Sequence, residues 1–312
     1  MSSANRTEVR YIAESTWGTT PTTPTLKYLR CTGESLNANI NNVVSEEIRG
    51  DRNQSEMIQV GSGAGGDVNV ELSPTSFNDM MEAAMCSTWV VDGVDTDKFT
   101  LVNGVLERSF TLQKKLADIT QLFNFTGSRV NTLSLAVAPD AIVTGAIGFM
   151  SKSGARTASQ FGSATLEDAL TTVPFNGAAG VTVNTVDAGA IPGGLMNFTL
   201  NINNNRRVQQ VVGSIEAKGI AAGKFEVSGD FETYFEDGTL YDKFATGAAF
   251  ALQIKMVSGT NEVWIDIPKG KYNTAEVVAQ GTDTDVMLKA TYTALYDSTT
   301  LGSIKITRNG PL

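Results

Sequence analysis

The stretch Ser35-Leu36-Asn37-Ala38-Asn39-Ile40-Asn41-Asn42 alternates apolar Leu36, Ala38 and Ile40 with polar Ser35, Asn37, Asn39 and Asn41. A period of two gives a strand with one dry face and one wet face. Downstream, the Gly-rich segment 61–66 reads as a turn leading into Asp67-Val68-Asn69-Val70-Glu71-Leu72, which alternates in the same way. A helical pattern follows at 77–85, where Phe77, Met80, Met81, Ala84 and Met85 fall on one face and Ser73 or Ser76 can cap the start. The same order then returns. Phe198-Thr199-Leu200-Asn201-Ile202-Asn203-Asn204-Asn205 is followed by the glycines at 219 and 223. After them come the alternating stretch Lys224 to Phe231 and a helical pattern from Thr239 to Phe244. Phe110-Thr111-Leu112-Gln113 is echoed by Phe250-Ala251-Leu252-Gln253. The echoes lie roughly 140–160 residues apart, a domain length rather than a solenoid period. The reading is a mainly β chain written twice, each copy holding several strands, one short helix and one long loop.

This places a first domain at 35–160 and a second at 161–312, joined through a Ser/Gly/Ala/Thr-rich linker at about 151–194. Thr165 to Leu170 inside the linker reads as a short helix. Residues 1–34 look irregular, and the Thr/Pro run from Thr19 to Pro24 should be extended; this arm either lies on a neighbour or is a loose terminus. Further strands are expected at 99–102, 108–113, 121–125, 131–137 and 142–150. In the second half they are expected at 250–256, 262–267, 275–279, 286–295 and 303–307. The loop between Val43 and Gly61 is too long for a tight hairpin and carries Glu46, Glu47, Arg49, Asp51 and Arg52. It reads as a solvated loop, or as a docking loop whose mixed charges fix register on a partner. Its counterpart at 205–219 carries Arg206 and Arg207.

Composition removes several functions. The 312 residues have a net charge of −9 and no histidine. The charge opposes a grip on nucleic acid phosphates, and the commonest general base and metal ligand is missing. Cys31 and Cys86 stand far apart with no CxxC pattern, so two buried thiols are a better reading than a zinc site or a disulfide. The glycines at 61–66 lack the Gly-Lys-Ser/Thr ending of a phosphate loop and run into a strand. Asp92, Asp95 and Asp97, or Asp283 and Asp285, lack a distal Glu for calcium. No cofactor, metal or catalytic set is expected. The first residues lack the apolar core of a signal peptide and no run is long enough to span a bilayer, which points to a soluble, cytoplasmically made chain.

The paired Asn-rich strands, each followed by a charged loop, a Gly-led strand and a helix pattern, resemble the tail tube proteins of long, non-contractile bacteriophage tails. So does the opening stretch from Glu8 through Tyr11, Trp17 and Gly18 to Pro21. The resemblance implies a β-sandwich flanked by a helix, with inner strands of neighbouring subunits joined around a DNA channel. It implies a virion protein, assembled in the bacterial cytoplasm, whose partners are its own copies, the tape measure protein and the terminator and tip proteins. DNA would pass without specific binding. If each copy fills one sixth of a ring, three chains complete it. The wet faces of the inner strands would then line the channel: Asn37, Asn39, Asn41, Asp67, Asn69, Glu71, Asn201, Asn203, Glu226, Ser228 and Asp230. On an ordinary sandwich the same residues would meet solvent. A carbohydrate-binding, adhesive or decoration β-sandwich is the alternative, weakened by an aromatic content of 8%.

Overall fold

Two long strands, Gln121–Val137 and Asn261–Val278, organise the fold, because each pairs with one partner along its first part and with another along its second. The computed structural model describes residues 3–93, 95–157, 165–166, 172–178, 181–187, 189–279 and 281–310. In the first long strand, Gln121 to Phe125 pair with Phe110–Leu116, while Arg129 to Ala136 pair with Thr144–Ser151. The strand turns between these ladders at Gly127, whose φ of +62° is open to glycine at little cost. In the second long strand, Asn261 to Gly270 pair with Phe250–Ser258, and Gly270 to Val278 pair with Met287–Ala294. Pro268, which has no N–H to give a ladder, lies at the bend. Alternation therefore breaks twice in the sequence, at Gly127 and at Pro268, although neither strand ends there. The expected pairs of short strands, 121–125 with 131–137 and 262–267 with 275–279, are each one bent strand.

The inner sheet runs without interruption through both halves. Asn37–Val44 pairs with Met57–Glu71, which pairs with Thr144–Ser151, and this in turn pairs with Gln121–Val137. Leu195–Asn203 lies beside Gln121–Val137, then come Glu226–Tyr234, Met287–Ala294 and the second part of Asn261–Val278. All these neighbours are antiparallel. Behind this sheet lie outer strands. In the first half Thr7–Ala13 joins Thr25–Leu29 to Phe110–Leu116, and Ser153–Thr157 borders Gln121–Val137. In the second half Val181–Val186 borders Phe250–Ser258, and Lys305–Asn309 borders Asn261–Val278. Lys98–Val102 crosses from the first half to pair with Lys305–Asn309. The sheet of a single chain is open, not a closed barrel.

Period-two alternation drives the packing. Val68, Val70, Leu133, Leu135, Ile147, Phe198, Leu200, Ile202, Val227 and Phe231 all point into one continuous core. Each such apolar side chain contributes about 1.5–3 kcal/mol on burial. The helix Asn78–Met85 closes the first half with Met80, Met81, Ala84 and Met85, as its spacing predicts. Phe77, not a serine, occupies the capping position without a side-chain bond; Ser73 and Ser76 bond each other and Arg30 instead. The second helix, Thr239–Thr246, ends on Gly247 with φ +65° and buries only Leu240.

Four other expectations change. Residues 7–13 and 25–29 are strands rather than part of an irregular arm, tied in by buried Val9, Tyr11, Leu26 and Leu29. The glycines at 61–66 lie inside the strand Met57–Glu71 and form no turn. Thr165–Leu166 is a short strand parallel to Thr25–Leu26 rather than the start of a helix; residues 167–170 lie outside the described residues. Ala38 and Ile40 are exposed, because among the described residues no second layer covers the hairpin there.

Candidate assembly surface

The wet side of the inner sheet is a cross-strand grid of small polar and acidic residues. In one row, Glu71 faces Thr144, which faces Ala136, then Thr199. The Thr199 hydroxyl donates to Asp230 at 2.5 Å, and Asp230 faces Thr291 and then Thr274. A second row runs Asn69, Ala146, Ser134, Asn201, Ser228, Thr293 and the exposed Lys271. A third runs Asp67, Gly148, Thr132, Asn203, Glu226. Asp67, Asn69, Glu71, Asn201, Asn203, Glu226, Ser228 and Asp230 are thus brought onto one surface by strands from both halves. The threonines and serine between them, together with Glu232 and Glu276, were missed from the sequence-based set. The alternation Thr132-Leu133-Ser134-Leu135 and Thr291-Tyr292-Thr293 carried the signal for several of them.

Acidic groups exceed basic ones here. Lys289 stands among them at 3.0 Å from Glu232, and Lys224 lies 3.4 Å from Glu226. The Asn205 side chain, then Lys224, holds the Glu226 carboxyl below the usual carboxylate range. For Glu232 the Asn197 amide does so first and Lys289 second. These groups remain ionised in mild acid because hydrogen bonds favour the charged form. The face carries none of the three tryptophans: Trp89 is buried, Trp17 lies beside Lys152 and Arg129, and Trp264 beside Lys255.

Asn37, Asn39 and Asn41 are exposed on a hairpin that extends beyond the ladder with Thr144–Ser151, opposite Gly65, Gly63 and Gly61. Its stem exposes Ile40, Val43, Met57, Ile58 and Val60. The Ser45 N–H bonded to the Glu56 carbonyl closes the stem below the loop. Glu46, Glu47, Arg49, Asp51 and Arg52 are all exposed in this loop, with Ile48 98% exposed between them. Arg49 grips Asp51 through two bonds of 3.1 and 3.2 Å and lowers its pKa.

The counterpart residues Arg206 and Arg207 separate. Arg207 is exposed. Arg206 is 6% exposed and its guanidinium is used within the chain, bonding Glu107 at 2.9 Å and the Val130 carbonyl at 2.8 Å, with Cys86 Sγ at 3.5 Å. The sequence grouped it with surface charge; its place is structural. Asn204 beside it donates to the Ala84 and Val130 carbonyls. The loop at 205–219 folds onto the first hairpin, where the Ser62 N–H donates to the Ile215 carbonyl at 2.7 Å. Both cysteines are free thiols, Cys86 buried and Cys31 partly so, and burial raises the pKa of each. Among the described residues no cluster of His, Cys, Asp or Glu could hold a metal ion. Among them, too, no helix is long and apolar enough to cross a membrane.

An antiparallel two-layer β protein with one uncovered polar sheet face and a projecting hairpin has the make-up of an assembling structural protein. A sequence profile of the phage tail tube protein family matches residues 4–294, and the chain belongs to that family. No curated protein matches it. Membership makes the chain a structural protein of the phage tail and a component of the virion.

Proposed function

We propose that the chain polymerises into stacked rings that form the tube of a long, non-contractile tail, and that the polar grid lines its lumen. The observation that carries this reading is the single inner sheet drawn from both halves with one face left uncovered. On this reading the two halves are duplicated tube domains, 35–160 and 161–312. Supporting this, the ladder order hairpin, partner strand, long bent strand recurs in each, with a helix following the hairpin both times. Three chains would then make a pseudo-hexagonal ring, a heterologous contact that closes by rotation. Each chain brings a charge of −9, so the lumen would offer DNA no dense cationic anchor. DNA would slide through it on ejection into the host. Rings would stack through the charged loop at 43–61 and its counterpart at 205–219, and the tube would meet a tape measure protein inside and terminator and tip proteins at its ends.

Negative-stain microscopy of the purified chain, with mass determination of the smallest closed species, tests the reading. Rings of three chains or stacked tubes are expected. A strictly monomeric particle at assembly concentrations, or a ring of six chains, would overturn the proposal or its stoichiometry respectively.

A further inference from the structure

The inner sheet ends in two edges that no strand pairs among the described residues: the outer edge of Asn37–Val44 and the outer edge of residues 271–278. We infer that these edges join between copies of the chain in one fixed register, with Thr274 of one copy opposite Asn39 of the next. The inference rests on the tube reading and adds the register to it.

The chain contains a template for the join. Where its halves meet, Thr132 lies opposite Asn203, Ser134 opposite Asn201, and Leu135 opposite Leu200. The equivalent positions follow from the ladders alone. In the first long strand, Asn131 is a bulge between Thr132, opposite Gly148, and Val130, opposite Phe149. In the second, Asn273 is a bulge between Thr274, opposite Thr291, and Tyr272, opposite Tyr292. Thr274 therefore stands where Thr132 stands. One strand further, Gly148 faces Asp67 and Thr291 faces Asp230. Two residues back along each strand, Gly65 faces Asn37 and Ser228 faces Asn201. The path closes on the matched sequences Leu36-Asn37-Ala38-Asn39 and Leu200-Asn201-Ile202-Asn203. Transferring the internal register puts Asn39 opposite Thr274, Asn37 opposite Glu276 and Leu36 opposite Val277. A one-residue slip would turn every side chain to the wrong face.

Burial agrees with the transfer. Leu135 and Ile202, at the internal join, are 3% and 1% exposed. Their equivalents Val277 (41% exposed) and Ala38 are uncovered. A second copy in this register covers both, while an unprotected edge of this length is a liability in a monomer.

The test is oxidative cross-linking of the assembled full chain carrying N39C and T274C, with each single variant as baseline and N37C/T274C as a pair displaced by two residues. Residues opposite one another bring Cβ atoms to about 4.5–5.5 Å, against roughly 7–8 Å on the diagonal. The in-register pair should form covalent multimers at least fivefold more efficiently than the displaced pair, with the linkage mapped by mass spectrometry to positions 39 and 274. N37C/E276C supplies a second in-register pair should the first fail to fold. Rings or tubes seen by microscopy with no preference between in-register and displaced pairs would overturn the register while leaving the tube reading intact. Monomers without cross-links would overturn both.

Discussion

Arg206 and Arg207 are adjacent in sequence and opposite in circumstance. Removing the buried Arg206 guanidinium deletes its charged bond to Glu107 and its bond to the Val130 carbonyl, although Arg129 and the Ala222 N–H still hold Glu107 and Asn204 still donates to Val130, so R206A should lower stability by roughly 1.5–3 kcal/mol. R207A, exposed, should stay within about 0.5 kcal/mol. Chemical denaturation of the two variants distinguishes them, and equal losses would contradict the assignment. Glu232 carries a pH signature. Its folded pKa is depressed, by Asn197 first and then Lys289. Its contribution to stability is therefore present above the unfolded carboxylate value near about 4.3 and is lost as pH falls through the folded value. E232Q should flatten the acid limb of the stability curve, with a cost at neutral pH below about 1 kcal/mol, since the group is partly screened by solvent. Thermal melts between pH 2 and pH 7 would read this; an acid limb as steep as that of the unmodified chain would count against it.

At the scale of the element, the first hairpin has two parts with different physics. Its stem is apolar and uncovered, its tip charged. Reversing Glu46, Glu47, Arg49 and Arg52 together should leave the melting temperature almost unchanged, because the tip makes no contact with the core. The same variant should stop at rings or monomers by microscopy, since mixed charge at a contact fixes register. Normal tubes from it would remove the tip from the stacking contact. The bent strands teach the complementary lesson. Gly127 and Pro268 look like ends in a one-dimensional pattern, yet the strand continues, because backbone hydrogen bonds lost to one partner strand are regained from the next.

For the whole molecule, the arrangement of charge is the testable property. D67K, E71K, E226K and D230K together change an acidic grid into a basic one without touching the core. Tubes should still assemble, while DNA passage slows or stalls, measured as ejection rate from particles carrying the variant. Gain of DNA binding by isolated tubes, steeply weakened by salt, should accompany it. Unaltered ejection would argue that the grid does not meet DNA.

Much of this was legible in the chain itself. Alternation at 67–72, 198–203 and 226–231 assigns the strands and their faces, since side chains on neighbouring residues of a strand must point opposite ways. The i, i+3, i+4, i+7 spacing of Phe77, Met80, Met81 and Ala84 assigns the first helix and its buried side. What sequence alone could not decide were matters of partnership. Whether Ala38 and Ile40 are covered depends on a second layer that stops short of them. Whether Arg206 is surface or core depends on Glu107 and Val130, distant in sequence and adjacent only after folding. The joining of Leu195–Asn203 to Gln121–Val137, which merges two sets of strands into one polar surface, is likewise a long-range pairing. Local periodicity fixes which face of a strand is wet; only tertiary contacts decide which strand lies beside it.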